Sequence, residues 1–169
     1  MYRVASSLSA GRVAFVVLFA LAVAACGRGG DDLGGGAVAV GGATGPGSIQ
    51  EFQVTVGDRV FFDTDSSELS AQARATLDRQ AQWLVLYPQY QIIIEGHADE
   101  RGTREYNIAL SGRRASAVQT YLASRGVPLA RMSTIPYGKE RPVATCNDIS
   151  CWSQNRRAVT VLTGFGAGV

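Results

Sequence analysis

The feature that most constrains this chain is where its glycines lie. Ten of the 20 glycines fall between Gly27 and Gly47, and a stretch so poor in side chains has little surface to bury against a core. The part that folds must therefore follow it, from about Glu51 onward. Residues 51–169 make one domain of ordinary size. The formal charge is only +2, where a nucleic-acid binder would show a concentrated basic face, so no nucleic-acid partner is expected.

Ahead of the glycines, Arg3 and Arg12 precede an uncharged apolar run over residues 13–25. Crossing a bilayer takes roughly 20 apolar residues, so the run is short for a membrane span and has the length and flanks of an export signal. It ends with Val23-Ala24-Ala25 directly against Cys26. That arrangement resembles the lipobox of bacterial lipoproteins, in which the cysteine is lipidated and becomes the mature N-terminus. Residues 1–25 are then a signal peptide, and residues 26–50 the lipidated cysteine with a flexible linker. An ordinary signal with an incidental cysteine, or an uncleaved N-terminal helix, are the alternatives. Small residues immediately before a cysteine at the end of such a run favour lipidation. By the same resemblance, Gly27 in place of an aspartate points to the outer membrane. Each buried acyl CH₂ contributes about 0.8 kcal/mol, so several chains anchor stably.

Three cysteines leave one over in an exported chain. With Cys26 carrying lipid, Cys146 and Cys151 remain to pair in an oxidising compartment, where the short loop between them makes a local staple. Half of a zinc site is the alternative, weakened because His97 is the only histidine and no second ligand pair exists.

Within 51–169, Phe52, Val54 and Val56 alternate with polar residues and predict a half-buried strand. Gly57-Asp58 would turn it into a second strand over 59–62. Ser70 is placed to cap a helix running to about Tyr87 and stopped by Pro88. Ala73, Leu77, Ala81 and Leu84 give that helix one apolar face. A strand over 91–95 contains Ile92-Ile93-Ile94, an unbroken apolar run that predicts cover on both faces. A second helix spans about 105–125, with Gly126 placed to end it. Residues 132–136 and 157–162 read as the last two strands. The order β-β-α-β-α-β-β predicts an α+β fold, a two-layer sandwich of a mixed sheet and two main helices.

Arg114 breaks the pattern of the second helix. It lies four residues from both Leu110 and Val118, on the stripe that also carries Ala117, Tyr121 and Leu122. A guanidinium on a core face needs an anionic partner, and Arg is well shaped to receive a carboxylate. Arg113 faces the other way, toward solvent. The second charged cluster, Glu95 to Thr103, leaves the end of the isoleucine strand, where binding loops are common. Asp99 there could hold a cationic ligand group or pair with Arg114. Spacing alone leaves a recognition loop and a solvated turn equally open.

Phe62-Asp63, Gly96-His97-Ala98-Asp99-Glu100-Arg101-Gly102-Thr103, Tyr106-Asn107, Leu110-Ser111-x-x-Arg114-Ala115, Tyr137-Gly138 and Asn155-Arg156-Arg157 stand in a recognisable order and spacing. They resemble the OmpA-like peptidoglycan-binding domain, from about residue 58 to residue 162. The H-A-D-E-R-G-T form is that of the family's lipoprotein branch, which works in the Tol–Pal system. The resemblance implies that the domain binds the diaminopimelate-containing stem peptide of peptidoglycan, Asp99 taking the ligand's ammonium and Arg114 its carboxylate. It sets Phe62, Asp63, Thr103, Asn107 and Leu110 around that pocket. It also implies TolB as a protein partner on an overlapping surface, a role in envelope integrity and cell division, and a domain facing the periplasm.

Catalysis, a cofactor and a metal are not expected. His97, Asp99 and Glu100 lack a paired nucleophile and offer too few nitrogen or sulfur donors for zinc. His97 reads instead as a structural or pocket-lining hydrogen-bond partner. Motility-stator relatives share the domain but carry an uncleaved transmembrane helix, against which the short apolar run and Cys26 argue.

Overall fold

The computed structural model describes residues 45–165. The expected signal peptide, the lipidated Cys26 and most of the glycine-rich linker lie outside the described residues.

Four strands form one mixed sheet: β1 (Arg59–Phe61), β2 (Tyr90–Gly96), β3 (Met132–Pro136) and β4 (Arg157–Phe165), in the spatial order β1-β4-β2-β3. β4 runs antiparallel to both β1 and β2. β2 and β3 are parallel, which requires a long crossover, and α2 (Arg104–Ser124) supplies it. α1 (Ala71–Leu86) begins at Ser70, whose hydroxyl accepts from the Ala73 amide at 3.1 Å. Gly126, at φ +96°, lets the chain turn off the end of α2. This is the α+β arrangement that the periodicity predicts.

Leu77, Ala81 and Leu84 of α1 and Ala115, Val118 and Leu122 of α2 pack over Val60, Ile92, Ile94, Ala158 and Leu162 of the sheet. Truncating a leucine in such a core to alanine costs about 2–5 kcal/mol. Two expectations fail here. Ile92 and Ile94 are 1% and 0% exposed, but Ile93 between them is only half-buried. The helices cover one face of β2, so the apolar run does not mean cover on both.

Residues 52–57 do not form the predicted strand, and no hairpin joins them to β1. Ser48 caps a single α-turn, Ile49–Glu51, that continues as a π-helical turn over Phe52–Gly57. Phe52 and Val56 are buried, which suits a strand and a helical turn alike, since they are four residues apart. Val54 decides between the two, at 75% exposure. The Phe52 ring packs 4.9 Å from Trp83, whose indole N–H donates to Glu51 Oε2 at 2.8 Å. The pattern also did not reveal a short helix before β4, α3 (Ile149–Asn155), or the extension of β4 to Phe165.

Candidate binding site

The site starts from a close approach. A Cβ on Gly96 would lie 1.9 Å from the carbonyl oxygen of Ser111, so only glycine lets α2 come this near the end of β2. One turn further along α2, Arg114 is 0% exposed. Its Nε donates to the Ser66 carbonyl at 2.8 Å, Nη1 to the His97 carbonyl at 2.8 Å and Nη2 to the Asp63 carbonyl at 3.1 Å. The Phe62 ring lies 5.2 Å from its Cζ. Burial, and then the nearby Arg156 charge, lower the Arg114 pKa to about 10, with Asp99 and Asp65 pulling the other way. The group is still a cation at neutral pH. A guanidinium carries more N–H groups than the carbonyls use here.

Asp99 does not pair with Arg114. Its Oδ1 accepts from the Arg101 amide and Nε, both at 3.2 Å, and its Oδ2 from Arg101 Nη2 at 2.7 Å and Arg156 Nη1 at 3.2 Å. Burial pushes the Asp99 carboxyl up, but hydrogen bonds from Arg101 and Arg156 outweigh it and hold the group below the usual carboxylate range. A carboxylate has room for about four donors, so this one is full. The donors are not equal. The Arg156 side chain is 8% exposed and also bonds the Phe62 carbonyl at 3.0 Å, whereas that of Arg101 is 40% exposed.

Between these groups lies a cavity of about 300 Å³ lined by Thr64, Asp65, Asp99, Arg101, Gly102, Tyr106, Asn107, Leu110, Arg114 and Arg156. Asn107, 2% exposed, ties α2 to the loop by donating from Nδ2 to the Arg101 carbonyl at 2.8 Å. Asp65 has φ 55°, a left-handed conformation that aspartate tolerates better than most residues, and its Oδ1 accepts from the Tyr106 hydroxyl.

Of the residues expected at the site, Asp99, Asn107, Leu110 and Arg114 meet on this cavity. Phe62 and Asp63 do not line it. They border a neighbouring hollow of about 450 Å³ that shares Arg156, and they serve Arg114 with a ring and a carbonyl. Thr103 is the helix cap, its hydroxyl accepting from the Tyr106 amide at 3.2 Å. The His97 ring is also off the cavity. It is 2% exposed, stacks on Tyr137 at 5.5 Å, and neither ring nitrogen has a hydrogen-bond partner among the described residues. Burial, then the charges of Arg157 and Arg141, lower its pKa to about 4. It is therefore neutral at pH 7, and the Glu95 carboxylate 3.6 Å away makes no ion pair with it.

Thr64, Asp65, Arg101, Gly102, Tyr106 and Arg156 were not among the expected residues. The last four stood inside the matching motifs and were legible there. Thr64 and Asp65 carry no such signal.

Cys146 and Cys151 are disulfide-bonded, with Cα atoms 5.6 Å apart. Asp148 lies close to both sulfurs, but each sulfur is bonded to the other and neither is a thiolate ligand. No helix among the described residues is long and apolar enough to cross a membrane.

The OmpA family model matches residues 61–156. A protein of Brucella melitensis named peptidoglycan-associated lipoprotein is 58% identical over 166 residues, which cover 95% of this chain and 96% of that protein. One of the same name from Rhizobium meliloti is 71% identical over 126 residues, 75% of this chain and 72% of the relative. The crystal structure of the peptidoglycan-associated lipoprotein from Burkholderia pseudomallei superposes with a TM-score of 0.61 at 46% identity, over 63% of this chain and 90% of that one. The chain belongs to the OmpA family and, within it, to the peptidoglycan-associated lipoproteins.

Proposed function

We propose that this chain tethers the outer membrane to the cell wall without catalysing any reaction on it. In this reading residues 1–25 are removed, Cys26 carries the lipid, residues 26–50 are the linker, and residues 51–169 are a periplasmic domain that binds peptidoglycan non-covalently. The cavity takes the diaminopimelate end of a stem peptide, its carboxylate on Arg114 and its ammonium on Asp99. The observation that carries this is Arg114, a buried cation whose hydrogen bonds among the described residues go to carbonyls, on a cavity whose other wall is a carboxylate. A zwitterionic amino-acid end needs one fixed charge of each sign. Because Asp99 is already full, the ammonium displaces the exposed Arg101 side chain and leaves Arg156 in place. The resemblance to the family's lipoprotein branch further implies TolB and other Tol proteins as partners, with a role in envelope integrity and division.

The test is sedimentation of the chain with purified sacculi. Asp99→Ala is expected to abolish co-sedimentation with an unchanged circular dichroism spectrum. Arg114→Ala is expected to abolish it as well, at a stability cost of roughly 1–3 kcal/mol for each carbonyl left without a donor. Arg114→Lys separates the two effects, keeping the charge but not the fork that can serve carbonyls and a carboxylate together. Undiminished binding by Asp99→Ala and Arg114→Lys would rule out the assignment. Cys26→Ser is expected to release the protein from the membrane fraction.

A further inference from the structure

The tether reading leaves the disulfide and Trp152 without a role. Cys151 lies in α3, two residues after the helix begins, and α3 reaches back to the cavity along its length. Trp152 lays its ring against Arg101, with Cζ 4.3 Å from the ring centroid, and its Nε1 donates to Glu100 Oε1 at 2.9 Å. Asn155 Oδ1 accepts from the amides of Val143 at 2.9 Å and Ala144 at 3.2 Å, while its Nδ2 donates to the Ala144 carbonyl at 2.8 Å. Arg156, which ends the helix, is the buried donor to Asp99. The strand of chain entering the disulfide is therefore bound to the far end of the helix that leaves it. Seven residues are too few to hold helical geometry unaided, so this helix depends on anchors, among them its Asp148 cap, the disulfide and the Asn155 bonds.

We propose that the Cys146–Cys151 disulfide and Trp152 form a latch that positions Arg101 and Arg156 against Asp99 and thereby sets the cavity's affinity for its peptide ligand. The proposal rests on the reading of the cavity as a stem-peptide site. Both arginines touch Asp99, one from the loop and one from the residue that caps α3, and the disulfide fixes the helix that holds them. With the helix anchored, the carboxylate is pre-organised and little ordering remains for binding to supply. Trp152 also packs against the loop that carries Asp99, through Arg101 and Glu100, which keeps the carboxylate in place when the ligand's ammonium takes over from the Arg101 side chain. Opening the latch removes both advantages. A disulfide that merely staples its own loop would do neither.

The experiment uses the full chain in detergent micelles and the synthetic tripeptide L-Ala-γ-D-Glu-meso-diaminopimelate as probe, titrated by calorimetry. Four forms are compared with the oxidised protein: Cys146→Ser with Cys151→Ser, Trp152→Ala, Trp152→Phe, and wild type in dithiothreitol. In the last, the S–S bond takes two electrons and two protons from the dithiol, which closes to its own cyclic disulfide. The serine pair, the reduced protein and Trp152→Ala are expected to bind about tenfold more weakly, a change of about 1.4 kcal/mol. Trp152→Phe, which keeps a ring under the guanidinium, is expected to restore most of the affinity. The Arg101 Nε–H resonance, shifted by the indole ring current, should move toward its unstructured position on reduction and in Trp152→Ala, with no ligand present. Equal affinity in the oxidised, reduced and Trp152→Ala forms would overturn the latch. If no form binds the tripeptide, the stem-peptide reading fails on its own, and the Arg101 resonance decides the latch: one that stays in place on reduction overturns it.

Discussion

The cavity's floor and its rim are built by different means. Arg114, Asn107 and Leu110 on the floor are 0%, 2% and 5% exposed, and Arg114 is held by carbonyls from residues 48 and 51 positions earlier in sequence. The rim is local. Asp99 is bonded by its neighbour but one, Arg101, and that arginine rests on the helix carrying Trp152. The floor therefore exists only when sheet and helices have assembled, whereas the rim can be loosened with the core intact. Changes to the floor should appear as stability and binding together, and changes to the rim mainly as binding.

Gly96→Ala is the strongest way to break that contrast. The new Cβ meets backbone, the Ser111 carbonyl, which cannot swing away as a side chain would. α2 must shift, taking Arg114 with it. The expected cost is about 3 kcal/mol or more, read as a lower urea midpoint, with sacculus binding lost in the same variant. An unchanged midpoint would mean that α2 is not fixed by its contact with β2.

His97 gives the next largest effect and belongs to the floor through its carbonyl alone. Its ring has a pKa of about 4 in the fold against an ordinary 6.5, so the unfolded chain takes up a proton that the folded one refuses. The associated stability is present above about pH 6.5 and is lost as pH falls toward 4. Below that this histidine adds no further slope. The full effect is on the order of 3 kcal/mol. His97→Phe keeps a ring against Tyr137 and removes the titration, so its unfolding free energy should be flatter over that window while sacculus binding at pH 7 persists. A slope that survives in His97→Phe would assign the acid sensitivity elsewhere. Asp99 does not confuse the test, since its lowered pKa puts its own contribution at the acid end, below this window.

How much of this was legible in the sequence follows the same division. Helical spacing alone placed Arg114 on the buried stripe, because a residue four from Leu110 and four from Val118 has no other face to occupy. Both long helices were readable for the same reason, since their period repeats over many residues, whereas the central strand showed itself as an apolar run. Spacing could not tell what holds Arg114, because the Ser66 and Asp63 carbonyls are main-chain groups and leave no trace in residue type. Phe52 and Val56 failed differently: four residues apart, they fit a strand and a helical turn equally, and only the exposure of Val54 separates the two. The pairing of Asp99 with Arg101 and Arg156, instead of Arg114, was hidden because three cations compete for one carboxylate and the helix that delivers Arg156 is too short to show a period.

Asp65 sharpens the contrast at its smallest scale, because its backbone and its side chain do separate things on the rim. The backbone sits at φ 55°, and the carboxylate accepts from the Tyr106 hydroxyl while its charge favours the Arg114 cation. Asp65→Ala and Asp65→Gly both remove the carboxylate. Only alanine carries a Cβ into the left-handed region, at a cost of about 1 kcal/mol. Glycine should therefore be the more stable of the two by about that amount, whereas their tripeptide affinities should match, both reduced or both unchanged. A matching pair of stabilities would show that the turn relaxes its backbone when the Tyr106 bond is lost, and that the bond, not the chain, holds the rim's conformation. Unequal affinities with equal stabilities would instead tie the backbone at residue 65 to the ligand, through the Ser66 carbonyl that Arg114 uses one residue later.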